Sequence, residues 1–159
     1  GGEERSIPAR AAAAGVVKRV VDSLMAININ SKIVIMGDLN DDPISPSLTK
    51  VLNAKGSVKG LKDGGLYNPW YDFYKNGIGT IAYQDSWGLF DQVVISKAWL
   101  DKTQPGYHYY RATIFNREFL VQQTGKYKGY PKRTWDGTTY NYGYSDHFPV
   151  YVTMLRKVN

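Results

Sequence analysis

Four consecutive apolar residues, Ile33, Val34, Ile35 and Met36, stop at Gly37 and run into Asp38, Asn40, Asp41 and Asp42. An unbroken run of this kind, rich in β-branched side chains, predicts a strand buried on both faces. Such a strand has to be covered, and the chain carries a helix for the purpose. Apolar residues at Ala13, Val16, Val17, Val20, Val21 and Leu24 repeat at helical spacing, with Lys18, Arg19 and Asp22 on the other side. The pattern predicts a helix from about Pro8, where a first-turn proline is tolerated, to Met25.

Downstream, Ser45-Pro46-Ser47 reads as an N-cap followed by proline at the first helical position, which predicts a short helix to Leu52 or Asn53. Residues 54–80 show little periodicity and are expected to be irregular, with one short helix near Tyr71 to Tyr74. Residues 80–85 and 89–96 read as two strands joined by a turn at Ser86-Trp87-Gly88. Residues 109–116 and 119–123 form a second candidate pair, and 124–143 a long polar loop of the kind that tends to be functional. In the last strand, Phe148 to Met154, residues Phe148, Val150, Val152 and Met154 share one face. This order predicts an α+β fold, with helices outside a mostly antiparallel or mixed sheet.

A chain of 159 residues, 43% hydrophobic, suits one domain with its own core. No apolar run approaches the roughly 18 residues that would span a bilayer. The chain opens Gly1-Gly2-Glu3 without methionine, so the lack of a signal peptide carries no weight. A net charge of +6 favours anionic partners, nucleic acid or another phosphate ester among them. The absence of cysteine excludes disulfides, thiolate zinc sites and thiol catalysis, and suits either redox compartment.

Three places can carry chemistry. In an extended segment Asp38 and Asn40 point to the same side, so a carboxylate and an amide converge. A calcium loop is excluded: its sixth position would be Pro43 instead of glycine, and its twelfth Thr49 instead of glutamate. Taken alone, the segment is equally an ordinary polar turn after a strand. Asp146 and His147 are neighbours at the start of a strand, so their side chains diverge and Ser145-Asp146-His147 cannot form a triad. If His147 is a base, another carboxylate must orient it and Asp146 must have a separate task, such as metal binding. Asp91, between Phe90 and an apolar strand, fits the orienting role, because an acid there needs a partner. A solvent-facing carboxylate at the strand edge is the alternative. Finally Lys126, Tyr127, Lys128, Tyr130, Lys132, Arg133 and Trp135 interleave cations with rings, as a nucleic-acid or lipid-headgroup surface does. A solvated loop would look the same.

In order, the segments 33–43, 86–96 and 143–154 resemble the C-terminal half of the endonuclease/exonuclease/phosphatase family, the deoxyribonuclease-I-like fold. The opening residues 1–14 resemble the segment and helix ahead of the family's Gly-Asp-Asn strand, so the resemblance covers essentially the whole chain. It implies half of a four-layer α/β/β/α sandwich, with residues 1–159 forming a single partial domain. It further implies that Asp38 polarises the attacking water and also serves the metal, while Asn40 binds the scissile phosphate. Asp91 would pair with His147, and Asp146 would be a ligand for a divalent cation, usually Mg2+, with Mn2+ or Ca2+ as alternatives. Expected substrate contacts are Asn40, Trp87, Lys126, Lys128, Lys132 and Arg133.

The implied activity is metal-dependent hydrolysis of a phosphoester, by a phosphodiesterase or nuclease. A phosphomonoesterase or a lipid or sugar phosphatase could use the same residues, and a non-catalytic binding module is the remaining alternative. Bacterial relatives without cysteine are often exported, so a periplasmic or secreted location is expected. The family's first half normally brings an asparagine and a metal-binding glutamate, and Glu3 and Glu4 do not match the latter. The chain is therefore expected to be a fragment with little activity alone. Its inner sheet face would be left bare and covered by a second copy or by the missing N-terminal half.

Overall fold

The computed structural model describes residues 3–157. Gly1 and Gly2 of the opening segment, and the last two residues of the expected 1–159 domain, lie outside the described residues. In chain order the elements begin with α1 (Glu3–Ile27), β1 (Val34–Asp38), β2 (Ala54–Lys55), β3 (Leu66–Tyr67) and α2 (Tyr71–Lys75). There follow β4 (Ile81–Tyr83), β5 (Ser86–Gly88), β6 (Asp91–Ser96) and β7 (His108–Ile114). The last are β8 (Trp135–Asp136), β9 (Thr139–Tyr140) and β10 (Val150–Leu155). The fold is α+β, as its element order predicts.

The main sheet runs β1-β6-β3-β2, with antiparallel pairs except for the parallel β2–β3. On its outer face Val17, Val21 and Met25 of α1 pack over Ile33, Ile35, Leu66 and Val94. These three helix positions recur every fourth residue, so one narrow stripe of α1 is buried. Val16, Val20 and Leu24, assigned to the same face from the sequence, are exposed. The apolar stripe of α1 is wider than the sheet it meets. The helix also begins before Pro8, at Glu3. Proline has no N–H to give the Glu4 carbonyl, so the second turn lacks one bond and the helix carries on around it.

Antiparallel register partners share a face, and here Val34 pairs with Ile95, Met36 with Val93 and Asp38 with Asp91. On this inner face Val93 and Ile95 are buried beneath the β7–β10 ribbon, against Tyr109, Ile114, Val150, Val152 and Met154. Part of the face expected to be bare is thus covered from within the chain. Ile33–Met36, however, is not buried on both faces. β1 is the edge of the sheet and the ribbon packs over β6, so Met36 remains 74% exposed and Val34 is also exposed.

Other local expectations change for similar reasons. Residues 81–88 form their own hairpin, β4 with β5, about a turn at Gln84 and Asp85. Both have positive φ, 49° and 61°, as a two-residue primed turn requires. That frees β6 to pair with β1 and β3. Residues 109–116 likewise do not pair with 119–123. β7 pairs with the distant β10, and Glu118–Leu120 forms a 3-10 turn. The turn at Ser47–Val51 is a single wide one closed by Leu52 N donating to Ser47 O (2.8 Å), and no side chain caps it. The stretch 54–80 adds β2 and β3 to the expected helix α2. The loop 124–143 contains the β8–β9 hairpin.

Candidate active site

The register that sets Asp38 opposite Asp91 brings two carboxylates to one end of the inner face. Asp38 Oδ1 accepts from the backbone N–H of Asn40 (2.9 Å), a side-chain-closed turn. Asn40 sits at φ +50°, a conformation that asparagine tolerates better than most residues. The turn is tied to the other strand, since Leu39 N donates to Phe90 O (2.8 Å). Asp91 Oδ2 accepts from His147 Nδ1 (2.6 Å) and from Thr80 Oγ1 (2.6 Å). An ionised carboxylate can only accept, so the Nδ1 proton is set and Nε2 is left as the second ring nitrogen. Thr80 also accepts from Phe148 N at its backbone carbonyl (2.8 Å) and donates from its own N–H to Gly88 O (2.8 Å). One buried threonine thereby joins β5, β6 and the entry to β10.

Behind the site lies a buried polar network. The Gln92 amide donates to Asp41 O (2.6 Å) and Leu89 O (2.9 Å) and accepts from Asn68 Nδ2 (2.7 Å). Its two donor targets lie in the loop that carries Asn40 and in the segment just ahead of Asp91, so one fully buried side chain spans both. Asp42 Oδ1 accepts from Leu89 N (2.7 Å), closing the same gap. Asp41 is buried in an ion pair with Arg10 of α1 (Nε to Oδ1, 2.8 Å) and accepts from Ser47 Oγ. Of the acidic side chains between Asp38 and Asp42, Asp38 therefore joins the cluster with Asp91 and His147, while Asp41 and Asp42 brace it. Thr80, Asn68 and Gln92 were not found from the sequence. Gln92 had a signal, as a polar residue opening the apolar run Val93-Val94-Ile95; Thr80 had none.

His147 holds its proton more tightly than an ordinary imidazole. The hydrogen bond to Asp91 is the main cause, opposed by partial burial and reinforced by the charges of Asp91, Asp38 and Asp146. Ligand atoms of Asp38, Asp91 and His147 all lie within 4.8 Å of one another, a group that could hold a metal ion. Asp146 stands outside that group, exposed, yet close enough for its charge to act on His147. Three carboxylates around one imidazole leave an excess of negative charge and of hard oxygen donors. That donor set suits a magnesium-class cation better than a thiophilic one.

The remaining expected contacts are more scattered. Trp87 stacks on the buried Phe148 (6.1 Å, 14°) and meets Tyr130 edge-on, so it backs the residue after His147. A cleft of about 970 Å³ opens beside Asn40, walled by Arg5, Tyr74, Tyr83, Trp87 and Phe90. Lys126 and Arg133 sit over the ring of Tyr127 at 5.4 and 5.9 Å, Lys128 is exposed and Lys132 half-buried.

The model of a protein family, described as the Endonuclease/Exonuclease/phosphatase family, matches residues 1–156. The chain belongs to that family. No curated protein and no solved structure matches it. Membership in the endonuclease/exonuclease/phosphatase family makes the chain part of a superfamily of phosphoester hydrolases and nucleases. In this member the convergence of Asp38, Asp91 and His147 falls at the end of β1, the start of β6 and the bend three residues ahead of β10.

Proposed function

We infer that the protein is a divalent-metal-dependent phosphodiesterase, with nucleic acid as its substrate. The observation that carries this reading is the His147–Asp91 pair at 2.6 Å, with Asp38 directly across the strand pair. In it, Asp38 orients the attacking water and takes up its proton as the new P–O bond forms, while the scissile P–O bond breaks and its leaving oxygen takes a proton from solvent. Asn40, held in its turn by Asp38, donates to a phosphoryl oxygen. His147, oriented by Asp91, contacts the phosphate through Nε2. Asp38 would hold the cation directly and Asp146, outside the cluster, through water; the cation supplies charge neutralisation on the phosphoryl oxygens when bound.

Hydrolysis is best read on the complete protein, with magnesium or with EDTA, against duplex DNA, single strands, RNA, sphingomyelin and inositol phosphates. Cleavage of nucleic-acid diesters that EDTA abolishes is the expected result. Turnover of phosphomonoesters alone, or turnover that persists in EDTA, contradicts the reading.

Exposed Met36 and Val34 lie on the same face as Asp38. We infer that this face is covered by a second copy of the chain or by the family's N-terminal half, and that the chain alone turns over slowly. Light scattering should show a dimer or a co-purifying polypeptide. A monodisperse monomer that hydrolyses diesters at full rate excludes this.

A further inference from the structure

Between Thr124 and Tyr144 lie four cations, six aromatic rings and a single carboxylate, Asp136. Three of the rings form a ladder outside the core. Trp135 and Tyr140 pair across the β8–β9 hairpin at 5.0 Å, and Tyr140 meets Tyr142 at 4.6 Å. Trp135 is 56% exposed and Tyr142 77%. Tyr142 has a φ of +53°, which costs a bulky residue on the order of 1 kcal/mol. The backbone around it is pinned, with Asn141 N donating to Thr134 O (2.8 Å) and Tyr144 N to Lys132 O (2.8 Å). The strained tyrosine is therefore held facing outward by its neighbours. It lies five positions from His147, a reach of at most about 18 Å.

We propose that this ladder is a stacking platform for single-stranded nucleic acid, placed to lead a strand to the His147 site. The proposal rests on the nuclease reading for what happens at that site, but not for the binding itself. Ring faces that remain open accept any unpaired base, and flanking lysine and arginine side chains follow the phosphates. Bases in a duplex already stack on one another, so their faces are closed to these rings. A bilayer is the poorer fit. A ribbon that inserts would end in apolar residues, whereas this one ends in Asp136, Gly137 and Thr138 with its rings at the base.

Fluorescence anisotropy on the purified chain in EDTA tests this without requiring catalysis, using a labelled oligothymidine of about 12 nucleotides. The single strand should bind more tightly than a duplex of equal length and weaken steeply with salt. Trp135→Ala and Tyr142→Ala should each weaken it about tenfold or more, while Tyr142→Phe, which keeps the ring, should not. Unchanged binding by both alanine variants overturns the platform. So does tighter binding to the duplex, or binding to phosphatidylglycerol vesicles in place of the oligonucleotide. Ring-dependent binding of the single strand by a protein that cleaves no diester supports the platform and refutes the nuclease reading alone.

Discussion

His147→Ala is expected to lower kcat of the complete protein by about 10²–10³-fold, the range lost with one preorganised group that contacts charge developing in the transition state. The size follows from how completely the imidazole is committed: Asp91 holds Nδ1 at 2.6 Å and Thr80 holds the same carboxylate oxygen. Asp91→Asn should lose much of the same factor, because an amide no longer enforces the Nδ1–H tautomer. A loss smaller than tenfold in both variants would remove His147 from the chemistry. The same residue sets a pH dependence of stability. Its pKa in the folded chain lies above the ordinary 6.5, so the folded state binds its proton more tightly than the unfolded state does. The stabilisation is fully present below about pH 6.5. It is lost as pH rises through the raised value. Denaturation curves in EDTA should show this decline in the parent chain and lack it in His147→Ala.

Arg10→Ala is expected to destabilise the chain by about 3–5 kcal/mol, the cost of breaking a buried ion pair from one side. At roughly 2–4 °C per kcal/mol for a chain of this size, the thermal midpoint should fall by about 10 °C. Both side chains are largely buried, with 13% of Arg10 and 6% of Asp41 exposed. Without the guanidinium, the Asp41 carboxylate keeps only the Ser47 hydroxyl as a side-chain partner among the contacts described. Lys18–Asp22 on the same helix is the control. It is an i, i+4 pair with Asp22 59% exposed, and Lys18→Ala should cost well under about 1 kcal/mol. Replacing Arg10 and Asp41 together by apolar residues should recover part of the loss, since no orphaned charge then remains. Equal small effects for Arg10→Ala and Lys18→Ala in a calorimetric scan would show that burial does not govern the Arg10 pair.

The residues now proposed to act were readable in advance because their chemistry is local. Asp38 with Asn40, and Asp146 beside His147, are near neighbours in sequence, and it was their combination with Asp91 that set them apart from ordinary polar turns. The expectation that adjacent residues of an extended segment diverge excluded an Asp146–His147 pair, so that a basic His147 would need another orienting carboxylate. In the structure both lie in a bend ahead of β10. The helix α1, the strand β10 and the short helix α2 were legible for the same reason, since periodicity is a property of near neighbours. The pairing of β6 was not legible. The positive φ values at Gln84 and Asp85 make a hairpin of 81–88, and nothing in those two residue types demands that conformation.

By itself, then, the sequence determined the α+β class, the principal helix and strands, and the residue types that could serve a phosphoester site. It also determined that, if His147 acts as a base, the carboxylate orienting it is not its neighbour. Only the tertiary structure decided that Asp91 is this carboxylate, that Asp38 lies across from it, and that Gln92, Asn68, Thr80 and Arg10 brace the loops between. It also decided that Ile33 and Ile35 are covered while Val34 and Met36 are not. The physical reason is range. Helical stripes and strand alternation arise from residues a few places apart, whereas register, burial of a given face and the partner of a buried amide depend on segments dozens of residues away.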